Sequence, residues 1–537
     1  MCGVVGVLPT RDADNDSRSL IDRTLAILER SRNRGNAGTG LLLHSNAGVH
    51  VERWPGEAEM IPPAGYNGLK RFAAKAQGDL FLGHVRYATA GVVEVSNIHP
   101  AVATKGRARV AIVMNGEVSF TARWRQEAAR QGIDLGGAHT DSAACAGLIL
   151  SRYLKQADPQ AALTSFYRDA FPFGGFTILG LIEDHRRAYF FYLRDGLRPL
   201  CRLRVGQTWL FASETAHLTG TGVGTEEQIV SVPAGEIGIC SLKGHGQGSI
   251  RPAPEFCTLD MNKELGGTAS KGLCAFELAY LQRATSTVGG QTVDSVRKEF
   301  GRALCQDNPP APGSLIVPVP DSGISAGEGY FAAARARSLN VRMSPDILQV
   351  NKEGRSFLEN GPAAIANRLR SKFSVDPSLA GSSRTVVVDD SIVRGNFSAW
   401  FASVWRQHRR NGLSILSAWP PIIAPCRAGV DIRPADILAT RFLPAAEILR
   451  EYRLLEKEMR QGFSHPEFGR VEGLEFRYAN RERIRPILGS VLEGKICTGC
   501  FDLGYNYIHP GNRHRPPAFL LEYLEANGAH DPLHGGG

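Results

Sequence analysis

The chain has 537 residues, too many for a single hydrophobic core, so its length predicts two or three domains. Its 43% hydrophobic and 21% charged content excludes a disordered chain, and no apolar stretch is long enough for a membrane helix. The net charge of +9 comes from scattered arginines without a clustered basic patch, which argues against nucleic acid as a partner. The N-terminus lacks the basic and apolar segments of an export signal, so we expect a cytoplasmic enzyme.

The first part of the chain contains short apolar runs separated by Gly and Asn turns. Leucine and isoleucine spacing predicts a helix over residues 17–32. Few helical segments separate the apolar runs, which favours stacked antiparallel sheets flanked by helices in a domain covering residues 2–243. The predicted strands are VVGVL, DLFLGHV, RVAIVMNG, GGFTILGLI and RAYFFYL.

A polar, glycine-rich stretch from 244 to 271 is typical of a linker, and strands and helices alternate after it. SLIVPVP, RTVVVDD and LSILSAW are predicted strands. One helix is predicted over residues 325–338, and another carries Trp400, Phe401, Val404 and Trp405 and ends near Gly412. This alternation predicts a doubly wound parallel sheet in a domain covering residues 270–445. Residues 446–537 are expected to be mixed helix and loop, ending in a disordered HGGG.

Cys2 is a candidate nucleophile if removal of Met1 makes it the first residue. It would then carry a free α-amine with a pKa of about 8, which can serve as a general base for its own thiol. Such a thiolate could attack a carboxamide. The chemistry also needs oxyanion donors, a cation for the substrate carboxylate and an anion for the substrate amine.

Six segments, in order, supply residues of these types: MCGVVGV, NRGNAGTGL, GHVRYATAG, NIHP, MNGEV and HTDS. On them the chain resembles the N-terminal-nucleophile (Ntn) glutaminase domain of class II amidotransferases, a four-layer αββα fold. Met114 departs from the histidine usual in that family. The resemblance implies Cys2 as nucleophile, Arg34 fixing its turn, Asn115 and Gly116 as oxyanion donors, Arg86 for the glutamine carboxylate and Asp141 for its amine.

In the second part, TVVVDDSIVRGNFS combines a strand, two acids and a small-residue loop that opens a helix. Backbone amides in such a loop bind phosphate, and Asp389 and Asp390 at the carboxyl end of the strand could bind ribose hydroxyls or Mg²⁺. An ordinary strand-to-helix turn with an acidic cap is the alternative interpretation.

VDDSIVRGNFS resembles the type I phosphoribosyltransferase signature, and specifically that of the glutamine amidophosphoribosyltransferase family, as do PVPDSG, CAFELAYLQRATS and GRSFL. Asn396 and Phe397 replace two threonines of that family. The loop that usually closes over the substrate has diverged, retaining few residues such as Lys352 and Arg355. The resemblance implies that phosphoribosyl pyrophosphate contacts Asp321, Ser322, Gly323, Asp389, Asp390, Ser391, Arg394, Gly395 and Ser398, with Mg²⁺ on the Asp389–Asp390 pair.

Cys497 and Cys500 form a C-x-x-C pair that by itself fits zinc, redox chemistry or no function. Within the resemblance, Cys274 and Cys426 occupy the other two positions of the family's iron–sulfur branch. Four thiolates suit a [4Fe–4S] cluster, which would tie residues 446–537 to the transferase domain.

The resemblance implies an enzyme that releases ammonia from glutamine at Cys2 and uses it to displace pyrophosphate from phosphoribosyl pyrophosphate, giving 5-phosphoribosylamine. This reaction is the first step of de novo purine synthesis. The altered loop and the Asn396–Phe397 pair leave two alternative functions open. One is a paralogue that aminates another phosphoribosyl or nucleotide-like acceptor, and the other is a glutaminase with a degenerate transferase domain. A non-catalytic nucleotide sensor and a sugar-isomerase amidotransferase are weaker alternatives. We also expect a homo-oligomer, with purine nucleotides as candidate inhibitors.

Overall fold

The computed structural model describes most of the chain and divides it into two compact units. Among the described residues, the front unit comprises those within 2–274 and 428–431, and the rear unit comprises those within 275–426 and 432–503. None of the described helices is long and apolar enough to span a membrane. The described residues are 2–9, 17–45, 47–56, 71, 78–87, 94–119, 121–206, 208–219, 228–242, 255–266, 271–350, 362–376, 384–407, 412–426, 428–492 and 496–503.

Two antiparallel sheets form the centre of the front unit, as the apolar runs predict. Within its described residues, the first sheet has seven strands in the spatial order Val230–Ser231, Cys201–Val205, Thr208–Ala212, Gly3–Leu8, Gly78–Arg86, Gly38–Ser45 and Gly48–Pro55. The second has six, in the order Cys257–Asp260, Glu236–Ser241, Ala188–Arg194, Gly174–Glu183, Ala108–Val118 and Ala101–Lys105.

Helices cover the outer faces of both sheets, and a shared core fills the space between the sheets. Val4 and Leu82 of the first sheet pack in one cluster with Val113 and Leu179 of the second. This confirms the four-layer αββα arrangement. The helices are Ser17–Arg30 on the first sheet, Ala122–Arg130, Asp141–Gln156 and Pro159–Ala170 on the second, and the short Thr215–Leu218 and Met261–Glu264.

The rear unit is built on a parallel sheet with helices between its strands, as the alternation predicts. Its main-sheet strands in the described residues are, in spatial order, Arg342–Met343, Leu315–Pro318, Thr385–Asp389, Leu413–Ser417 and Glu475–Tyr478. The helices are Val293–Asp307, Ile324–Ala336, Pro362–Lys372, Asn396–Gln407, Ala445–Arg450, Tyr452–Met459, Arg481–Val491 and Gly499–Asp502, with a π-helical turn at Glu277–Leu281.

Small hairpins complete the rear unit. They pair Thr287–Val288 with Gln291–Thr292, Leu348–Val350 with Phe373–Val375, and Phe463–His465 with Gly469–Val471.

Two segments differ from the sequence-based expectation. The expected linker contains strand Cys257–Asp260, which pairs with Glu236–Ser241 at the edge of the second sheet. The expected helix-and-loop tail contributes strand Glu475–Tyr478 to the parallel sheet, where it pairs with Leu413–Ser417. Both strands carry charged residues and lie at sheet edges, so the apolar pattern that identified the central strands is missing. The HGGG terminus lies outside the described residues.

Candidate functional site

Cys2 lies directly before the first strand, and its main chain is held by a buried ion pair. The guanidinium of Arg34 donates from Nε to the carbonyl of Cys2 at 3.1 Å and pairs through Nη1 with Glu214 at 2.6 Å. Both side chains of this pair are fully buried. The next turn is fixed as well, because the amide of Val4 donates to the hydroxyl of Ser213 at 3.0 Å. The structure therefore places Arg34 against the main chain of Cys2, with Glu214 and Ser213 as further contacts of this segment.

Arg86 ends the strand that lies beside Cys2. Gly3 is opposite Val85 in the antiparallel register, so Cys2 and Arg86 are the next pair in line. The Nη1 atom of Arg86 is buried and has no hydrogen-bond partner among the described residues. An unpaired buried guanidinium nitrogen is costly, so this position is suited to a ligand carboxylate.

Asn115 and Gly116 lie near the end of the central strand of the second sheet. Asn115 is fully buried, and neither its Oδ1 nor its Nδ2 has a partner in the described part of the chain. Gly116 has φ +134°, and a Cβ placed there would lie 1.9 Å from the carbonyl oxygen of Gly175. Only glycine fits this backbone. Within the described ranges, the side-chain amide of Asn115 has no partner for its oxygen or its nitrogen, and the next residue, Gly116, has a positive φ. These are features of a site that stabilises an oxyanion.

Two stacked histidines hold the peptide just before Asn115. His84 donates from Nε2 to the carbonyl of Met114 at 3.1 Å, and the amide of Met114 donates to Nδ1 of His99 at 3.2 Å. The two rings stack with centroids 3.9 Å apart. Burial lowers the pKa of His84 to about 3 and that of His99 well below its usual value, so both rings are neutral. The acceptor role of His99 Nδ1 requires this neutral state. Both residues fall in segments that carry the resemblance, yet the sequence assigned them no role.

Replacing His99 with alanine should misplace the oxyanion strand. We expect kcat for glutamine hydrolysis to fall by about 10- to 100-fold with little change in KM, because a displaced donor acts mainly on the transition state. Activity driven by added ammonia should persist. Steady-state assays with each nitrogen source would measure this, with His50→Ala, a half-exposed histidine paired with Glu52, as the control. Equal losses with both nitrogen sources would contradict the positioning role.

The neutral state of His84 should also affect how the free energy of unfolding depends on pH. In the unfolded chain histidine has a pKa near 6.5, so between 6.5 and about 3 the unfolded state binds the extra proton. Stability must therefore fall as pH drops through this window, by about 1.3 kcal/mol between pH 7 and 5.5 from this one residue. Urea unfolding of the wild type and His84→Asn at both pH values would test it. An unchanged pH dependence in the variant would count against a buried neutral His84.

Asp141 begins a helix close to the same strand. Its Oδ2 accepts from the amide of Val118 at 2.9 Å and its Oδ1 from the amide of Ser142 at 2.9 Å. Desolvation raises the pKa of Asp141, which a bound ammonium group would offset. Arg125 holds the preceding turn by donating to the carbonyls of Ala138 and Thr140. The carboxylate is thus fixed at the end of the strand that carries Asn115.

Residues 428–431, far from this site in sequence, fold with the front unit against Gly116. The buried guanidinium of Arg198 donates to the carbonyl of Ala428 from both Nε, at 3.0 Å, and Nη2. Gly429 has φ +102°, and a Cβ placed there would lie 2.9 Å from the Cα of Gly116. Residues 428–431 therefore hold the strand of Asn115 and Gly116 in addition to the two histidines. No local sequence pattern predicts this contact.

In the rear unit, Asp389 and Asp390 lie at the carboxyl end of the central parallel strand. Both are buried, and the hydroxyl of Ser391 donates to Asp390 at 2.6 Å. Burial and the neighbouring Asp390 raise the pKa of Asp389 well above its usual value, and burial also raises the pKa of Asp390. Two carboxylates held together in this way would gain from a cation or from hydroxyl donors.

The PVPDSG loop lies against the same edge of the sheet. The side chain of Ser322 hydrogen-bonds to Asp390, while Asp321 is exposed. A Cβ on Gly323 would lie 2.8 Å from the carbonyl oxygen of Val388, so the loop approaches the strand closely. The structure therefore brings the two predicted phosphoribosyl segments together.

The loop after Asp390 leads into helix Asn396–Gln407. Gly395, with φ +72°, accepts from the amide of Ala399 at 2.9 Å, and Ser398 is buried in the first turn. Arg394 does not point freely to a ligand, because it pairs with Asp436 at 2.7 Å.

The two family departures have structural partners. Asn396 Oδ1 lies 3.1 Å from Nε2 of His465, and the ring of Phe397 packs against Phe373 and Trp400 at 5.5 and 5.8 Å between centroids. The first-turn amides of the helix remain as phosphate donors. Lys352 and Arg355 of the diverged loop lie outside the described residues.

The predicted cluster cysteines are reduced in the structure. The amides of Ile423 and Ala424 donate to the carbonyl of Cys500 at 2.8 and 3.2 Å, which places the C-x-x-C segment beside the residues leading to Cys426. Cys274 belongs to the front unit. Among the described residues, no three His, Cys, Asp or Glu side chains are grouped to bind a metal.

Proteins of similar sequence match most of the length of this chain. An amidophosphoribosyltransferase of Rhizobium etli is 28% identical over 461 residues, covering 84% of this chain and 83% of that protein. One of Methanothermobacter thermautotrophicus is 25% identical and covers 94% of each. The chain is therefore similar to amidophosphoribosyltransferases over most of its length. No family model matches it.

Solved amidophosphoribosyltransferase structures have the same fold. The glutamine phosphoribosylpyrophosphate amidotransferase of Bacillus subtilis, complexed with ADP and GMP, superposes with a TM-score of 0.69 at 22% identity, covering 93% of this chain and 96% of that one. A second structure, of the allosteric regulatory enzyme of purine biosynthesis, has a TM-score of 0.68 at 23% identity, covering 93% and 95%.

Proposed function

We propose that this enzyme transfers the amide nitrogen of glutamine to phosphoribosyl pyrophosphate, forming 5-phosphoribosylamine, pyrophosphate and glutamate. The carrying observation is that buried polar atoms of Arg86, next in register to Cys2, and of Asn115 have no hydrogen-bond partner among the described residues. These groups fit a substrate with a carboxylate and a carboxamide. The relatives named for this reaction support it, and so does the acidic pair of the rear unit.

In the front unit, removal of whatever precedes Cys2 would free its α-amine. The amine takes the thiol proton, the sulfur attacks the carboxamide carbon, and Asn115 with the Gly116 amide stabilises the oxyanion. Collapse breaks the C–N bond, and the amine returns the proton to release ammonia. Water then hydrolyses the γ-glutamyl thioester to glutamate. Arg86 and Asp141 would bind the substrate's carboxylate and amine.

In the rear unit, ammonia would attack the anomeric carbon of phosphoribosyl pyrophosphate as the bond to pyrophosphate breaks. Asp389 and Asp390 fit ribose hydroxyls or a magnesium ion, and bound Mg²⁺ would neutralise charge on the leaving pyrophosphate. Ser322, Gly323 and the amides around Ser398 would hold phosphate groups.

The altered-acceptor alternative is not favoured. Asn396 and Phe397 take partners within the rear unit, so these departures are absorbed by packing and leave the helix-terminal amides in place. We place the reaction in purine synthesis in the cytoplasm, and propose a homo-oligomer with purine nucleotides as inhibitors. The nucleotides in the Bacillus subtilis structure support the last point.

Substrate dependence tests the proposal. Pyrophosphate release should require phosphoribosyl pyrophosphate together with glutamine or ammonia, and glutamate should form in step with it. Glutaminase activity without stimulated pyrophosphate release would refute phosphoribosyl pyrophosphate as the acceptor.

We further propose a [4Fe–4S] cluster on Cys274, Cys426, Cys497 and Cys500, supported by the resemblance and by the contact of Cys500 with Ile423 and Ala424. Its role would be structural. Anaerobically purified protein should absorb broadly near 400 nm and contain about four irons and four sulfides per chain. Cys497→Ser should lose both, whereas Cys305→Ser should not. Zinc, or no metal, in the wild type would rule the cluster out.

A further inference from the structure

A polar cavity of about 500 Å³ lies in the rear unit, at the end of the sheet opposite the phosphoribosyl segments. Arg384 directly precedes strand Thr385–Asp389, whose far end carries the acidic pair. None of the described residues predicted to contact phosphoribosyl pyrophosphate lines the cavity, so the two sites are distinct, although the wall extends along the strands to Leu416, the register partner of Val388. Its volume is in the range of small-molecule pockets.

The cavity wall is rich in positive charge. Five cationic side chains line it against three acidic ones, an excess of two positive charges. These eight charged residues come from four separate parts of the chain, so the cavity wall is not simply the solvent-exposed face of one helix. The cations are Arg384, Arg453, Lys457, Arg460 and Arg477, and the acids are Asp307, Glu456 and Glu475.

Two acids are already occupied by cavity arginines. Glu475 accepts long ion pairs from Arg384 at 3.5 Å and Arg460 at 3.4 Å. Glu456 pairs with Arg477 at 3.0 Å and accepts from the amide of Tyr478 at 2.9 Å. Glutamates engaged in this way mainly orient the guanidinium groups.

The third acid also has a partner, and two cavity cations, Arg453 and Lys457, have no ion pair with a described residue. Asp307 pairs at 2.8 Å with Arg483, which does not line the cavity. The ammonium of Lys457 makes no ion pair with any described residue, and Arg453 lies one helical turn before it on helix Tyr452–Met459. The excess charge is thus centred on this helix.

We propose that this cavity, which we name the amino-edge pocket, binds a small phosphate monoester. A phosphate group carries about −1.5 to −2 charges at neutral pH, which matches the excess of two. Arg453, Lys457 and Arg460 would contact it, since arginine forks and lysine are the usual phosphate donors. The space beyond one phosphate, with Val386, Leu416 and Tyr330 in the wall, would hold the organic part.

Calorimetric titration of the full-length protein with ribose 5-phosphate and with inorganic phosphate tests the proposal. We expect two binding events for ribose 5-phosphate, and the Asp389→Asn and Asp390→Asn double variant should remove only the one at the carboxyl edge. The remaining event should weaken at least about ten-fold in Lys457→Glu, be largely kept in Lys457→Arg, and be unchanged in Lys105→Glu, an exposed charge reversal in the front unit.

Inorganic phosphate should bind the amino-edge pocket more weakly than ribose 5-phosphate, because it leaves the apolar wall uncovered. Equal affinity would overturn the assignment of a monoester. A single event that the Asp389→Asn and Asp390→Asn double variant abolishes, or a second event unaffected by Lys457→Glu, would overturn the pocket itself. Circular dichroism of the variants excludes unfolding as the cause of lost binding.

Discussion

A Cys2→Ser variant is expected to lose glutamine-dependent pyrophosphate release by a factor on the order of 10³ or more. The serine hydroxyl is a far weaker nucleophile at neutral pH than a thiol beside an amine base. The contacts of residue 2 with its neighbours should stay intact, because Arg34 binds the carbonyl of Cys2 and not its sulfur. Ammonia-driven activity should therefore remain near the wild-type level.

The control for this experiment is Cys257→Ser, an exposed cysteine of the same unit. It should keep both activities. Mass spectrometry after treatment with a glutamine-like electrophile should find the label on Cys2 in the wild type and nowhere in the variant. Normal glutamine consumption by Cys2→Ser would overturn the proposed glutaminase mechanism.

The second large effect is expected at the acidic pair. Asp389→Asn with Asp390→Asn should lower phosphoribosyl transfer by about 10²- to 10³-fold with either nitrogen source, because the charges that would hold Mg²⁺ or ribose hydroxyls are gone. Labelling of Cys2 should be unaffected. Asp346→Asn, an exposed residue of the same unit, is the matched control.

The same double variant should be at least as stable as the wild type at pH 7. The folded-state pKa of each aspartate is raised, so the folded state binds more protons than the unfolded state above pH 4, and stability falls as pH rises through that window. Neutral asparagines remove this cost. Thermal unfolding would measure it, and a marked loss of stability would mean that the carboxylates are needed for folding.

Local sequence pattern predicted much of the fold. Runs such as VVGVL and TVVVD are buried along their whole length, so their mainly apolar character identifies central strands. Strand Glu475–Tyr478 has a charged, half-exposed pattern at the sheet edge, and only pairing with Leu413–Ser417 makes it a strand. Edge elements depend on such non-local contacts.

The site shows the same division. Cys2, Asn115 and the acidic pair lie in motifs, so the sequence identifies them, and the structure leaves the groups of Asn115 without partners. The contacts of His84 and His99 with Met114 depend on how strands of two sheets are placed, which no local pattern encodes. The amino-edge pocket likewise collects cations from segments far apart in the chain.

Residues 428–431 complicate any attempt to dissect the enzyme. They are encoded more than 150 residues after the rest of the front unit ends at Cys274, yet they supply the carbonyl that receives the buried guanidinium of Arg198. A gene fragment stopping at the apparent domain boundary would lack this acceptor and leave a charge buried without it. The glutaminase part is therefore not encoded by one continuous segment of the gene. Recombination that exchanged only the first half of the gene would combine Gly116 with residues 428–431 of a different protein.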